Sequence, residues 1–94
     1  MNKYETIILV NIDKTEEERN KVLEKIKSYI NNNGKLLETN ELGKKQLAYE
    51  VKMQKEAYYY QIYFNMKPNN IAELERIYRI TDEILKFITI KVDD

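Results

Sequence analysis

Lysines, carboxylates and tyrosines are the side chains of this sequence that could do chemistry, because it contains neither cysteine nor histidine. Thiolate nucleophiles, disulfides, histidine-dependent triads and imidazole or thiolate zinc sites are therefore excluded. Tyrosine is concentrated, since four of the 8 tyrosines lie between Tyr58 and Tyr63. A strand alternates its side chains between two faces, so these rings cannot all enter one core. Outward rings beside lysines are typical of a nucleic-acid or protein surface rather than a catalytic pocket.

The basic residues admit two interpretations. Lys44 and Lys45 could contact phosphates, but paired lysines on a hairpin are more often found protecting an edge strand from aggregation. Arg76, Arg79 and Lys86 cluster around the end of a predicted second helix and the strand after it. Cations at a helix C-terminus are stabilised by the helix dipole. A purely structural role for these residues and a contact with phosphate therefore stay equally open.

Size and charge narrow the class of protein further. The 94 residues predict a single domain over 1–94, and the 43% hydrophobic and 34% charged content is that of a folded soluble chain. With 16 basic and 16 acidic residues the net charge is zero, which argues against strong RNA binding by the chain alone. The longest apolar run, residues 7–10, is too short to span a membrane, and the N-terminus shows no signal segment. We therefore expect a cytoplasmic protein without a membrane partner.

Hydrophobic periodicity and turn residues divide the chain into six elements. They are, in order, a strand over 3–11, a helix between 15 and 34, a strand over 35–54, a strand over 57–66, a helix between 70 and 81 and a strand over 84–92. The order β-α-β-β-α-β predicts an α+β, ferredoxin-like fold, in which a four-stranded antiparallel sheet carries both helices on one face.

Local signals predict where the helices begin and end. Thr15 and Glu18 form a capping box for the first helix, and Asn33–Gly34 predicts a left-handed stop at its other end. Asn70 with Glu73 predicts a second capping pair.

The glycines and the hairpin turn carry further expectations. Gly43 predicts a bulge or bend in the second strand, and residues 55–56 are the predicted turn into the third. Gly34 and Gly43 are the only glycines, so a glycine-rich phosphate loop is excluded.

Alternation also predicts which side chains lie on the helix-free face of the sheet. The more apolar set of each strand should face the helices, which leaves Ile7, Leu9, Tyr59 and Tyr63 on the open side. Tyr58 and Tyr60 are then inward, so the weak similarity of residues 57–63 to the aromatic strand of RNA-recognition motifs gives no base-stacking pair. The last strand stays ambiguous, because either choice leaves apolar groups outside.

Several segments, taken together and in order, match a known pattern. They are residues 4–5, Gly34, 42–49 with the letters LGKKQLAY, 57–59, 74–76 and 80–86. The Leu-Ala-Tyr triplet after a glycine and a basic pair is the most specific of them. Over its full length the chain closely resembles the bacterial small-subunit ribosomal protein six family.

The sequence departs from the family pattern at a few positions. Glu50 stands where the family usually has proline, Ala57 where glycine is frequent and Leu42 where an aromatic residue is common. Lys86 replaces a usual arginine, so that a bidentate phosphate contact becomes a point-charge contact. None of these departures changes the expected fold.

The resemblance implies a non-catalytic structural component of the small ribosomal subunit. It implies binding to the central domain of small-subunit ribosomal RNA as a heterodimer with ribosomal protein eighteen, with no cofactor and no small-molecule substrate. A basic partner would supply much of the cationic surface that a neutral chain lacks.

Site residues follow from the resemblance and the predicted strands. We expect RNA contacts at Lys3, Tyr4, Tyr63, Arg79 and Lys86. We expect partner contacts at Leu47, Ala48 and Tyr49, with Lys44 and Lys45 on either surface. Alternation places Leu47 and Tyr49 on one face and Ala48 on the other, and we favour a partner-facing position for Tyr49 over a core position.

Two other classes of function are distinct alternatives. A free-standing single-strand RNA-binding module of the same fold would use Tyr59 and Tyr63 as stacking platforms. An acylphosphatase-like enzyme would need an arginine anion cradle in the first loop, where this chain has Asn-Ile-Asp-Lys at 11–14. No enzymatic activity is therefore expected.

Overall fold

The chain, described over residues 1–92 by a computed structural model, forms one sheet covered by two helices, and Asp93 and Asp94 lie outside the described residues. The order is β1 (Asn2–Asn11), α1 (Glu16–Asn33), β2 (Gly34–Val51), β3 (Gln54–Met66), a 3-10 turn (Pro68–Asn70), α2 (Ile71–Ile80) and β4 (Ile84–Lys91). The strands are antiparallel in the order β2-β3-β1-β4, so β2 and β4 form the two edges. The predicted ferredoxin-like architecture is confirmed.

Both helices pack on one face of the sheet and enclose the main core. Ile26 and Ile30 of α1, Leu74 of α2, Ile8 of β1 and Phe64 of β3 belong to this core, and each is at most 1% exposed. The even-numbered residues of β1 and β3 face the helices, as alternation predicts. No helix within residues 1–92 has the length and apolar composition that would allow it to cross a membrane.

The first helix begins as predicted but ends for a different reason. The Thr15 hydroxyl accepts from the Glu18 amide at 3.2 Å, and the Glu18 carboxylate accepts from the Thr15 amide at 3.0 Å. This confirms the capping box. The left-handed stop at Gly34 is wrong, because its φ of −174° is extended. Glycine stands there because a Cβ would overlap the carbonyl oxygen of Asn65 on β3.

Two other predicted ends are also corrected. The hairpin turn lies at Lys52 and Met53, whose φ values of 49° and 67° are both left-handed, and not at residues 55–56. A two-residue turn with both central residues left-handed matches the twist of its strands, so β3 pairs from Gln54 onward. Asn70 makes no side-chain cap at α2, and Glu73 instead accepts two bonds from Arg76, at 2.8 and 2.6 Å.

Gly43 and β4 complete the sheet. Gly43 has a φ of 86°, and the β2–β3 register shifts between Glu41 and Gly43, which confirms the predicted bulge.

In β4, Phe87 packs against the main core, whereas Ile88 and Ile90 lie on the other face and are exposed. The ambiguity of the last strand is thereby resolved, with its isoleucines on the helix-free side.

Candidate nucleic-acid and protein interface

The helix-free face of the sheet holds most of the predicted site. Strand register places Lys3, Glu5, Ile7 and Leu9 of β1 on this face, beside Tyr59, Gln61 and Tyr63 of β3 and Lys86, Ile88 and Ile90 of β4. The prediction that Ile7, Leu9, Tyr59 and Tyr63 lie on the open side is confirmed.

Part of this face is covered by the chain itself. Leu9, Ala57 and Leu85 are at most 7% exposed and form a second apolar cluster, although both helices of residues 1–92 lie on the other side of the sheet. Leu47 and Val51, from the end of the β2–β3 hairpin, pack against them. The hairpin therefore bends over one end of the sheet, which its alternating pattern alone does not reveal.

A hydrogen bond joins the two edges of the sheet across that end. The Lys86 ammonium donates to the Tyr49 hydroxyl at 2.7 Å and lies 5.1 Å from the centre of its ring. This bond and the positive charge of Lys86 lower the pKa of Tyr49 below its ordinary value. A residue expected to contact RNA and one expected to contact the protein partner are thus neighbours, although they are far apart in sequence.

A basic depression lies beside this bond, at the start of β4. Lys52, Arg79 and Lys86 line it together with Tyr78 and the apolar residues of β4, and its volume is about 300 Å³. The Arg79 guanidinium carbon lies 5.6 Å from the centre of the Phe87 ring, which positions the side chain at the rim. Within residues 1–92 no carboxylate lines this depression. Three cations with no described carboxylate among them suit a phosphate group.

Lys52 was missed by sequence reasoning. It comes from the tip of the hairpin, which reaches β4 only because the hairpin bends over the sheet. The position of the hairpin turn was the signal that could have revealed it. A two-residue turn at Lys52 and Met53 places a lysine at the tip of the hairpin.

A polar network occupies the other part of the helix-free face. The Glu5 carboxylate accepts hydrogen bonds from the Gln61 amide and, at 3.3 Å, from the Tyr63 hydroxyl. Asn40 extends the network by donating to Gln61 at 3.2 Å and to Glu38 at 2.8 Å. Partial burial and the nearby Glu5 and Glu38 carboxylates raise the pKa of Tyr63 above its ordinary value.

The expected RNA-contact residues fall into three places. Lys3 lies 5.6 Å from the centre of the Tyr63 ring on the helix-free face, and Arg79 and Lys86 share the basic depression. Tyr4 must be removed from the set. It is 8% exposed in the main core and stacks on Phe64 with ring centres 5.7 Å apart, because the even positions of β1 face the helices.

The expected partner-contact residues lie along the outer part of β2. Lys44, Lys45, Ala48 and Tyr49 are exposed, whereas Leu47 is half-buried in the second cluster. The Lys45 ammonium lies 5.7 Å from the centre of the Tyr59 ring. Tyr49, at 64% exposed, is not a core residue.

Tyr58 and Tyr60 face the helices, as predicted, and have a structural role. Arg19 of α1 donates to the Tyr60 hydroxyl at 3.0 Å, and its guanidinium carbon lies 3.8 Å from the centre of the Tyr58 ring. These two rings fasten α1 to β3, so they explain half of the tyrosine cluster without a ligand.

These surfaces belong to a ferredoxin-like fold. Within residues 1–92 no three acidic side chains converge on a point where they could hold a metal ion. The sequence profile of the ribosomal protein S6 family matches residues 3–91, and the chain belongs to this family. The family is a structural, non-enzymatic component of the small ribosomal subunit.

Individual relatives agree with this assignment. The chain is 40% identical over 95 residues to the small ribosomal subunit protein bS6 of Caldanaerobacter subterraneus subsp. tengcongensis, with 100% of each chain covered. It is 42% identical over 94 residues to the bS6 protein of Helicobacter acinonychis, covering 99% of this chain but spanning only 66% of that relative. The crystal structure of 30S ribosomal protein S6 from Thermotoga maritima matches with a TM-score of 0.92 at 33% identity, covering 97% of this chain and 87% of that one.

Proposed function

We propose that this chain binds the central domain of small-subunit ribosomal RNA, together with ribosomal protein eighteen, in cytoplasmic ribosomes. The observation that carries the RNA part of the proposal is the basic depression. Lys52, Arg79 and Lys86 come from the β2–β3 turn, from α2 and from β4, yet they line one concave surface that no carboxylate of residues 1–92 enters.

The depression matters because the chain as a whole is neutral. With 16 basic and 16 acidic residues, affinity for a polyanion must come from local segregation of charge, and cations that neutralise phosphates release condensed counterions. A few such contacts make binding by the chain alone weak and strongly dependent on salt. The basic protein partner supplies the remaining positive charge.

The partner surface in this proposal is the outer part of β2. Its exposed residues Lys44, Lys45, Ala48 and Tyr49 stand on β2, which within residues 1–92 has a neighbouring strand on one side only. Tyr49 is bonded to Lys86, so a partner seated on Tyr49 lies next to RNA held at the depression. This adjacency fits a chain that binds RNA and protein as one composite surface.

The experiment measures RNA affinity across a range of salt concentrations, with and without ribosomal protein eighteen. The probe is a fragment of the central domain of small-subunit ribosomal RNA. The variants Lys52→Gln, Arg79→Gln and Lys86→Gln each remove one cation from the depression. We expect each to weaken binding and to reduce the slope of log affinity against log salt by about 1.

The matched control is Lys25→Gln, which removes an exposed lysine from α1 on the helix side. It should leave both affinity and salt slope unchanged. Unchanged binding by all three depression variants would exclude this RNA surface, and nanomolar binding by the isolated chain at physiological salt would contradict the need for a partner.

The alternative of a free-standing single-strand RNA-binding module has weaker support. Tyr59 is half-buried against the second cluster, and Tyr63 donates its hydroxyl to Glu5. A carboxylate beside a stacking ring repels the phosphates that a bound strand would bring. Because the Lys3 ammonium lies over the same ring, the charge around Tyr63 is mixed and does not favour a stacked strand.

A further inference from the structure

The pairing of β2 with β3 is interrupted near the tip of the hairpin, and we call residues 47–50 the hairpin bulge. The ladder pairs Gln46 with Glu56 and resumes only at Val51, so the hairpin bulge lies opposite Lys55 alone. Extra residues in one strand leave the ladder, bend the strand and redirect its side chains. The hairpin bulge is therefore the place where β2 can send side chains away from its own neighbour, β3.

Two side chains of the hairpin bulge make different contacts. Leu47 is half-buried and packs into the second apolar cluster. Tyr49 is 64% exposed and reaches Lys86 on the opposite edge strand of the sheet. Leu47 thus fixes the hairpin bulge to the sheet, and Tyr49 connects it to the basic depression.

Tyr49 holds Lys86 without neutralising it. The ammonium donates to the Tyr49 hydroxyl at 2.7 Å, and within residues 1–92 none of Lys52, Arg79 and Lys86 forms an ion pair. A carboxylate in the place of this hydroxyl would also hold the ammonium, but it would cancel the positive charge that attracts a phosphate. An ammonium has more than one donor hydrogen, so the bond to Tyr49 leaves others for a ligand.

A lysine that is already held in place binds a ligand at a lower entropic cost. Lysine is among the side chains that lose most rotamer freedom when they are fixed. A ligand that contacts a mobile lysine bears this cost on binding, whereas a ligand that meets a fixed lysine does not. Lys86 lines the basic depression and is held by its bond to Tyr49, so its contribution to RNA affinity should depend on that bond.

We propose that Tyr49 is a positioning residue for RNA binding, whose hydroxyl holds the Lys86 ammonium ready for a phosphate in the basic depression. The hairpin bulge brings Tyr49 to this place. The inference rests on the proposed function, because the phosphate belongs to the RNA that the depression binds. It deepens that function by making RNA affinity depend on a neutral side chain.

The first test measures the affinity of the full chain alone for the fragment of central-domain RNA, at several low salt concentrations. Without the protein partner, an effect of Tyr49 on partner binding cannot enter. Tyr49→Phe removes the hydroxyl but keeps the ring, and we expect about three- to tenfold weaker binding, the range for one lysine that must be fixed on binding. The salt slope should stay unchanged because no cation is removed, whereas Lys86→Gln should reduce it by about 1.

A double-mutant cycle tests whether the effect of Tyr49 passes through Lys86. In the Lys86→Gln background, Tyr49→Phe should weaken RNA binding no further. An equal loss of affinity from Tyr49→Phe with and without the Lys86 ammonium would overturn the positioning role, because the hydroxyl would then act independently of Lys86.

The matched control is Tyr29→Phe. The Tyr29 hydroxyl also forms a hydrogen bond, to the Asn70 carbonyl at 2.9 Å, but Tyr29 packs against the main core on the helix side of the sheet. This variant should bind RNA as the unsubstituted chain does. Equal losses of affinity in Tyr29→Phe and Tyr49→Phe would indicate a general effect of a lost hydrogen bond and would overturn the inference.

The outcomes separate this inference from the proposed function. If Lys52→Gln, Arg79→Gln and Lys86→Gln all bind RNA as the unsubstituted chain does, the proposed RNA surface is wrong and the positioning role falls with it. If Lys86→Gln weakens RNA binding and Tyr49→Phe does not, only the positioning role is overturned.

A second measurement follows the motion of the Lys86 side chain directly, without RNA. Nuclear magnetic resonance relaxation at the Lys86 Cε and Nζ reports how far the ammonium is fixed. We expect Lys86 to be more ordered than Lys91, an exposed lysine of the same strand. Tyr49→Phe should make Lys86 as mobile as Lys91 and leave Lys91 unchanged. Equal mobility of Lys86 in Tyr49→Phe and in the unsubstituted chain would overturn the proposal.

Discussion

Lys86 and Tyr49 show how one pair of side chains connects surfaces that the sequence keeps apart. The ammonium of Lys86 lines the basic depression and also donates to the Tyr49 hydroxyl. Tyr49 in turn stands on the strand that we propose for the partner. Because the pair is exposed, its contribution to folding is small, and its importance lies in placing the two proposed binding surfaces side by side.

The Tyr49 pKa gives a direct test of this contact. Lys86 holds the pKa of Tyr49 below its ordinary value, so Lys86→Gln should raise that pKa toward the ordinary tyrosine value of about 10. The measurement is a pH titration of the Tyr49 ring carbon by nuclear magnetic resonance. Lys91→Gln, at the far end of β4, is the control and should leave the pKa unchanged. An identical Tyr49 titration in Lys86→Gln and the unsubstituted chain would show that the bond does not form in solution.

At the scale of the elements, the β2–β3 hairpin decides the shape of the helix-free face. The register of β2 with β3 shifts at the Gly43 bulge and again between Gln46 and Val51, and beyond these shifts the end of the hairpin bends over the sheet. That bend buries Leu9 and brings Lys52 to the basic depression. The other end of β2 depends on Gly34, where the start of the strand passes close to the backbone of Asn65.

The two glycines of β2 should therefore respond differently to substitution. Gly34→Ala puts a Cβ onto the carbonyl oxygen of Asn65, and we expect it to lower the free energy of unfolding by about 3 kcal/mol, the upper end for overpacking. Gly43→Ala has open space around it but keeps a left-handed φ of 86°, which should cost about 1–2 kcal/mol. Urea denaturation of both variants gives the comparison. A smaller loss for Gly34→Ala than for Gly43→Ala would contradict the close approach of β2 to β3.

For the whole molecule, net neutrality conceals a separation of charge. Cations gather at the start of β4, whereas the carboxylates of Glu5 and Glu38 lie in the polar network on the helix-free face. Neutrality therefore excludes neither RNA nor a basic protein as a partner, because the two signs of charge gather in different places. Stability comes from the core on the other side of the sheet, where Tyr78 is 1% exposed.

Tyr78 makes global stability depend on pH in the alkaline range. Burial raises its pKa well above the usual range, and its hydroxyl, which lies near Thr6, forms no hydrogen bond within the described residues. Below about pH 10 the hydroxyl is neutral in both states, and above it only the unfolded state releases the proton. Stability should then fall with rising pH by about 1.4 kcal/mol per pH unit from this residue.

The variant Tyr78→Phe should remove that part of the pH dependence. Because the hydroxyl has no partner, the free energy of unfolding at neutral pH should change by less than about 1.5 kcal/mol. Urea denaturation between neutral pH and pH values above 10 measures both effects. Tyr49→Phe, which removes an exposed tyrosine, is the control and should not flatten the alkaline curve. An equally steep alkaline loss in Tyr78→Phe would show that another group is responsible.

Local patterns determined the elements and the faces of this protein. The capping box at Thr15, the bulge at Gly43 and the alternation in β1 and β3 were readable because each depends on neighbours a few residues away. The order of the elements then indicated the ferredoxin-like sheet, and the segments around 42–49 indicated the family. Chirality of the connections leaves few other topologies for that order.

Tertiary structure alone decided how distant parts of the chain meet. Gly34 is required by the backbone of Asn65, Tyr4 is covered by Phe64, and Tyr49 reaches Lys86 across the sheet. The basic depression likewise combines a turn, a helix and a strand. Such contacts depend on how far the hairpin bends and on the register of the strands. Both result from small changes of backbone direction that accumulate over many residues. Alternation tells which face a side chain occupies, but only the folded sheet determines what lies opposite it.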